Sequence, residues 1–154
     1  MKRVFIYYSL SGNGEAVADY LSKKDYSIVR VETTKKMPKS MFFRILVGGF
    51  KASVNYKDKL KDFDTDISKY DEILIGSPIW NSRLSSPINT VLDKLDLKDK
   101  KIKFVLYSAS GEDNKATSML KDKYNCEVIN LKEPKKNNDE LDKLSNWYTL
   151  FFII

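Results

Sequence analysis

Five apolar runs rich in β-branched and aromatic residues alternate along the chain with stretches of helical periodicity. That alternation constrains the fold more than any other feature. The runs cover residues 3–8, 26–32, 70–77, 103–108 and 126–131, and each reads as a strand. Between them, Ala16, Val17, Tyr20 and Leu21 share one helical face, and residues 37–50 fit a second helix ended by Gly48-Gly49. Ser86 as cap and Pro87 at the first helical position open a third, with Ile88, Val91, Leu92 and Leu95 along one stripe. A fourth spans 117–123, and Asn137 with Glu140 caps the last. Strands separated by helices build a parallel sheet covered on both faces. The expected fold is therefore α/β, a three-layer α-β-α sandwich around a five-stranded parallel sheet, in a single domain over residues 1–154.

Composition narrows the chemistry. The chain has no histidine and one cysteine, Cys126, which removes Ser–His and Cys–His nucleophiles and makes a zinc site a poor fit. Cys126 reads as a small buried hydrophobe at a strand start. Any chemistry is then expected to come from a bound cofactor rather than from a catalytic side chain. No run of 18 apolar residues exists, and Met1-Lys2-Arg3 leads directly into a strand, so a cytoplasmic protein without membrane insertion is expected. The net charge of +6 is uneven: residues 35–61 hold eight Lys/Arg against Asp58 alone. Such a block is read first as a solvated face, with nucleic acid or anionic lipid as the rival partners.

In parallel sheets ligands sit beyond the carboxyl ends of the strands, at a topological switch point. Three polar turns fall there. The first, Ser9, Leu10, Ser11, Gly12, Asn13 and Gly14, joins a strand to a helix. Free N–H groups and the helix dipole at such a turn suit an oxyanion, and Ser9 and Ser11 add hydroxyls. No Lys follows Gly14, so a monoester phosphate fits better than a nucleoside triphosphate. The second turn is Ser77, Pro78, Ile79, Trp80, Asn81 and Ser82. Trp80, on a polar loop between a strand and a capped helix, offers a flat face to a planar aromatic ligand. Ser108, Ala109, Ser110, Gly111, Glu112 and Asp113 form the third turn.

Taken together, these turns resemble those of the flavodoxin-like FMN-binding family, and the resemblance runs over nearly the whole chain. Ser9 to Gly14 stands in place of the family's T/S-x-T/S-G-x-T phosphate turn, with Gly14 where a hydroxyl residue is usual. Gly76-Ser77-Pro78-Ile79-Trp80-Asn81 and Ser86-Pro87 match its second loop. The resemblance implies the flavodoxin-like strand order 2-1-3-4-5 and non-covalently bound FMN. It also implies that Trp80 flanks the isoalloxazine ring and that the Asn81–Ser82 peptide flips on reduction, which suits Asn81 because asparagine tolerates positive φ. The third loop, Ser108 to Glu112, would border the other side of the ring, without the stacking tyrosine many carriers place there. Residues 42–61 resemble an extension found in longer members.

The resulting expectation is an electron-transferring flavoprotein. It acts either as a carrier for redox partner proteins or as an NAD(P)H:quinone-type oxidoreductase with a small-molecule acceptor, monomeric or homodimeric. Two alternatives stand beside it. Gly12-x-Gly14 and Glu32 partly match a Rossmann dinucleotide site, but Val17 occupies the third glycine position. A basic surface-binding module without flavin would account for residues 35–61 and for the apolar Phe151-Phe152-Ile153-Ile154 ending.

Overall fold

The computed structural model describes residues 1–149; the apolar ending at Phe151–Ile154 lies outside them. Strands β1 (Arg3–Tyr7), β2 (Tyr26–Arg30), β3 (Glu72–Trp80), β5 (Lys101–Ser108) and β6 (Glu127–Lys132) run parallel in the order β2-β1-β3-β5-β6. A short β4 (Arg83–Leu84) pairs antiparallel with the end of β3, off this path. The five parallel strands thus reproduce the 2-1-3-4-5 order, whose switch point lies between β1 and β3. This order excludes the Rossmann alternative, and Glu32 instead lies exposed in an ion pair with Lys61 at 2.7 Å.

Alternating side chains of the strands divide into two cores. Val4, Ile6, Ile73, Ile75, Phe104 and Leu106 pack against α3 (Ser86–Lys94) and α4 (Asn114–Tyr124) through Ile88, Val91 and Leu120. On the other face, Phe5, Tyr7, Leu74, Val105 and Tyr107 meet Val17, Ala18 and Leu21 of α1 (Asn13–Ser22). The buried stripe of α1 is therefore Gly14, Val17, Ala18 and Leu21, with Ala16 and Tyr20 at its margin. Leu141, Leu144 and Trp147, from a 3₁₀ segment (Asn138–Ser145) and α5 (Asn146–Thr149), complete that core. Fully burying each such aliphatic side chain stabilises by about 1.5–3 kcal/mol.

Several element ends depart from the expected ones. Helix α2 (Met41–Ser53) runs through Gly48-Gly49 instead of stopping there. Ser85, not Ser86, stands at the N-cap position of α3, its hydroxyl bonded to Ser77 rather than to the helix, with Pro87 in the first turn. Helix α4 starts earlier than expected because the Asp113 carboxylate accepts the Ala116 N–H at 2.9 Å. The capping box at Asn137 does not form. The Glu140 carboxylate accepts the Lys132 N–H at 2.8 Å, and the Asn137 amide donates to the Lys132 carbonyl at 2.9 Å. Cys126 is half-buried and its thiol pKa is pushed up by burial. Among the described residues no helix is long and apolar enough to cross a membrane.

Candidate functional site

The first turn folds around its own serine. Ser9 is buried, and its Oγ accepts the N–H groups of Gly14 at 3.0 Å and Gly12 at 3.3 Å. Those two donors are thus engaged inside the turn, whereas the N–H groups of Ser11, Asn13 and Glu15 find no acceptor among the described residues. Gly12 lies at φ 95°, a left-handed conformation that ends the turn and starts α1. Glu15, the acid of the first helical turn, is held by Arg30 at 3.0 Å, which offsets a charge that would oppose an anion. Gly14 leaves no room for the hydroxyl side chain its position resembles, because Tyr7, Ser9 and Tyr107 crowd the space where its Cβ would stand.

A cation from elsewhere crosses this turn. Lys135, beyond β6, donates its backbone N–H to Asn13 Oδ1 at 3.1 Å and its ammonium to the Ser11 carbonyl at 3.4 Å. Nothing local in the sequence marks it; 122 residues separate it from Asn13, and only the sheet order brings the two together.

Trp80 stands not on a loop but at the end of β3, paired with Arg83 of β4. Asn81 and Ser82, at φ 50° and 55°, close a two-residue hairpin in which both central residues are left-handed. The positive φ expected at Asn81 is therefore present. Its side-chain amide donates to Ser53 Oγ at 2.6 Å, tying the hairpin to α2. Tyr8 meets the Trp80 ring edge-on, with centroids 6.1 Å apart. Burial, reinforced by the nearby Asp58 carboxylate, pushes the Tyr8 hydroxyl up to about 12, so it stays protonated and neutral.

These pieces share one cavity of about 540 Å³, lined by Leu10 and Ser11 from the first turn and by Pro78, Ile79, Trp80 and Asn81 from the second. Its remaining wall is α2, through Met41, Arg44, Ile45 and Gly49. Gly48 of the same helix rests on the indole: a Cβ there would lie 3.1 Å from Trp80 Cδ2. The volume and the mixture of apolar walls with few polar groups suit a cofactor-sized ligand. Ser82 turns away, toward Asn55 and Arg83 in a separate depression. The third turn stands on the same rim but outside this cavity. Ser108 Oγ accepts the Gly111 N–H at 3.1 Å, Ala109 and Ser110 are exposed, and Glu112 borders a different hollow with Asn114.

With this geometry in view, comparison with known proteins is decisive on one point: the flavodoxin family profile matches residues 2–150. The chain belongs to the flavodoxin family. Its fold is similar to that of a flavoprotein from Lactobacillus acidophilus NCFM crystallised in complex with FMN, with a TM-score of 0.70. The two sequences are 24% identical, over 94% of this chain and 98% of that one. A crystal structure from Bacteroides eggerthii DSM 20697 is similar at TM-score 0.68 and 19% identity, over 94% and 96% of the two chains. A flavodoxin from the domain Archaea is similar at TM-score 0.56 and 16% identity, over 95% and 92%. No protein of curated function matches the sequence. Within this flavodoxin fold, sequence reasoning missed Lys135 and the α2 wall. Met41, Arg44, Ile45 and Gly49 read as an ordinary amphipathic helix, and no local pattern shows that it leans over the site.

Proposed function

We propose that the chain binds FMN non-covalently in the cavity between the first turn and Trp80, and transfers electrons through it. The observation that supports this reading is the single cavity in which a hydroxyl-bearing turn at a helix N-terminus meets a tryptophan held by a hairpin. The residues fit the group. The unengaged N–H groups of Ser11, Asn13 and Glu15, the Ser11 hydroxyl and the positive end of α1 form the phosphate end of the site. Lys135 adds a full positive charge there. Trp80 presents its ring to the apolar part of the cavity, while Pro78, Ile79 and Asn81 line the same side. Ser108 to Glu112 border the outer rim in this reading. FMN, when bound, supplies the electron-transfer chemistry, and the chain supplies orientation, partial exclusion of water and the surrounding charge. No side chain of the site acts as acid, base or nucleophile.

A second reading concerns what reacts at the site. Met41 and Ile45 border the cavity with apolar surface, and Arg44 adds a cation, which suits a small apolar acceptor and an anionic nicotinamide cofactor better than a large acidic protein. That favours an NAD(P)H:quinone-type oxidoreductase over a carrier.

Titration of the apo protein with FMN tests the core of the proposal. Flavin fluorescence is expected to be quenched at a stoichiometry of one, and Trp80→Ala to weaken binding by about 3–10-fold, the worth of an aromatic stacking contact. A protein that cannot be loaded with FMN overturns it. Anaerobic mixing of the loaded protein with NADPH then separates the two roles. Rapid bleaching supports the enzyme, and no response to NADPH supports the carrier.

A further inference from the structure

Helix α2 turns its large apolar side chains outward. Met41, Phe42, Phe43, Ile45, Leu46 and Phe50 are all between 51% and 68% exposed. At 3.6 residues per turn, Ile45, Phe42, Leu46, Phe50 and Phe43 sweep a little under half the circumference of the helix. The inward arc holds Arg44, Gly48, Lys51 and Ala52 instead. Arg44 donates to the Pro38 carbonyl at 2.6 Å, and Lys51 pairs with buried Asp58 at 2.6 Å. The polar groups thus turn toward the protein, Arg44 keeping its charge at the cavity wall, and the face that ordinarily seeks a core faces out. A contiguous exposed apolar surface of this kind marks an interaction site.

Charge around the face says what covers it. No acidic residue lies between Glu32 and Asp58. Lys35, Lys36 and Lys39 lead into the helix, and Lys59 follows it; all four are exposed and make no ion pair among the described residues. Lys57 and Lys61 are exposed too, but are engaged with Asp93 and Glu32. A second copy docked by this face about a two-fold axis would bring the same cationic ends together and repel itself. Duplex nucleic acid would satisfy the lysines yet leave the phenylalanines in water, and the bases of a single strand would stack on the phenylalanines but not on Met41, Ile45 and Leu46. A phenylalanine-rich face with unpaired lysines just before and after it in the chain matches the boundary between headgroups and acyl chains of an anionic bilayer.

We infer that α2 docks the protein flat on an anionic lipid bilayer, with Phe42, Phe43, Leu46 and Phe50 at the acyl boundary. Lys35, Lys36, Lys39 and Lys59 then lie among the headgroup phosphates. The helix lies on the membrane and does not span it. Met41 and Ile45 belong both to this helix and to the cavity wall, so docking brings the cavity's α2 side to the lipid surface. Access of a lipid-dissolved acceptor to that cavity rests on the flavin reading above; the docking itself does not.

The test is co-sedimentation of the apo chain with phosphatidylcholine vesicles, with and without roughly one-third phosphatidylglycerol. Binding is expected on the mixed vesicles at low salt, with release at high salt and little binding to phosphatidylcholine alone. Phe42→Ser with Phe50→Ser, and separately Lys35→Glu with Lys39→Glu, should each lower affinity about tenfold or more with unchanged circular dichroism. Absence of binding, or equal binding to both vesicles, overturns the inference. So does a dimer in gel filtration that Phe42→Ser with Phe50→Ser dissociates while vesicles capture nothing, since the face then belongs to a second copy. Sedimentation of a chain that takes up no FMN upholds the docking and overturns only the flavin reading.

Discussion

A Cβ added at Gly14 would stand 2.6 Å from Tyr7 Cδ2, 2.7 Å from Ser9 Cβ and 2.8 Å from the Tyr107 hydroxyl. None of these neighbours can retreat, because Tyr7 and Tyr107 are buried in the core and Ser9 anchors the turn. Gly14→Ala is therefore expected to cost about 1–3 kcal/mol, as overpacking does. Gly49→Ala, with nothing within 4 Å, should gain about 0.5–1 kcal/mol from helix propensity. Urea unfolding of the two variants checks the opposite signs. Lys135 offers a second single-residue test. On the FMN reading, Lys135→Ala should weaken FMN binding about 3–10-fold, in line with one partly exposed charge contact, and leave riboflavin affinity unchanged because riboflavin has no phosphate. Equal losses for both ligands would detach Lys135 from the phosphate end. The serines and glycines of the first turn were legible in the sequence because each acts within six neighbouring residues. Lys135 was not, because its role exists only once β6 lies beside β5.

At the scale of elements, strand and helix cores follow the hydrophobic period closely, and the ends do not. The apolar run of β3 reads as a strand ending at Ser77, just before a proline, which cannot donate within a sheet. It continues because Pro78 takes the last position in register with Tyr107, and the chain then folds back as a hairpin through Trp80. Gly48-Gly49 reads as a helix stop, yet Gly48 lies inside α2, where a Cβ would press on the indole at 3.1 Å and the missing side chain eases the close approach. The 3₁₀ segment is fastened by Glu140, whose carboxylate pKa is lowered by the Lys132 N–H and then by the Lys143 ammonium. A lowered carboxylate stabilises the fold above the ordinary carboxylate range and loses that contribution as pH falls through its lowered value. Glu140→Gln should thus unfold at lower urea than the parent at neutral pH. The gap should close on acidification into and below the carboxylate range; a gap independent of pH would remove the charge from the explanation.

For the molecule as a whole, the rim opposite the cavity carries its own buried polar group. Glu72 and Lys103, 2% and 3% exposed, pair at 3.4 Å where β3 and β5 begin. The Tyr26 hydroxyl donates to Glu72 at 2.8 Å, and the Trp147 ring lies 4.7 Å from the ammonium. Burial pulls the Lys103 pKa below the usual lysine range, against the raising effect of Glu72. Lys103→Met should cost up to about 3–5 kcal/mol by removing the buried partner of Glu72 and leaving it only the half-exposed Lys101 ammonium at 3.8 Å, and Glu72→Gln with Lys103→Met together much less. Thermal unfolding of the single and double variants measures the difference. Alternation of strands and helices was enough to read the layered architecture; where its walls meet was not, since those contacts join segments far apart in the chain. One such contact has reach beyond its size. Because the indole leans directly on a helix whose far side looks outward, the pocket and the outer surface are two sides of a single thin partition. If a grip on the helix from outside changes how well a guest is held against the indole, then by thermodynamic reciprocity that guest changes the strength of the outer grip by the same factor.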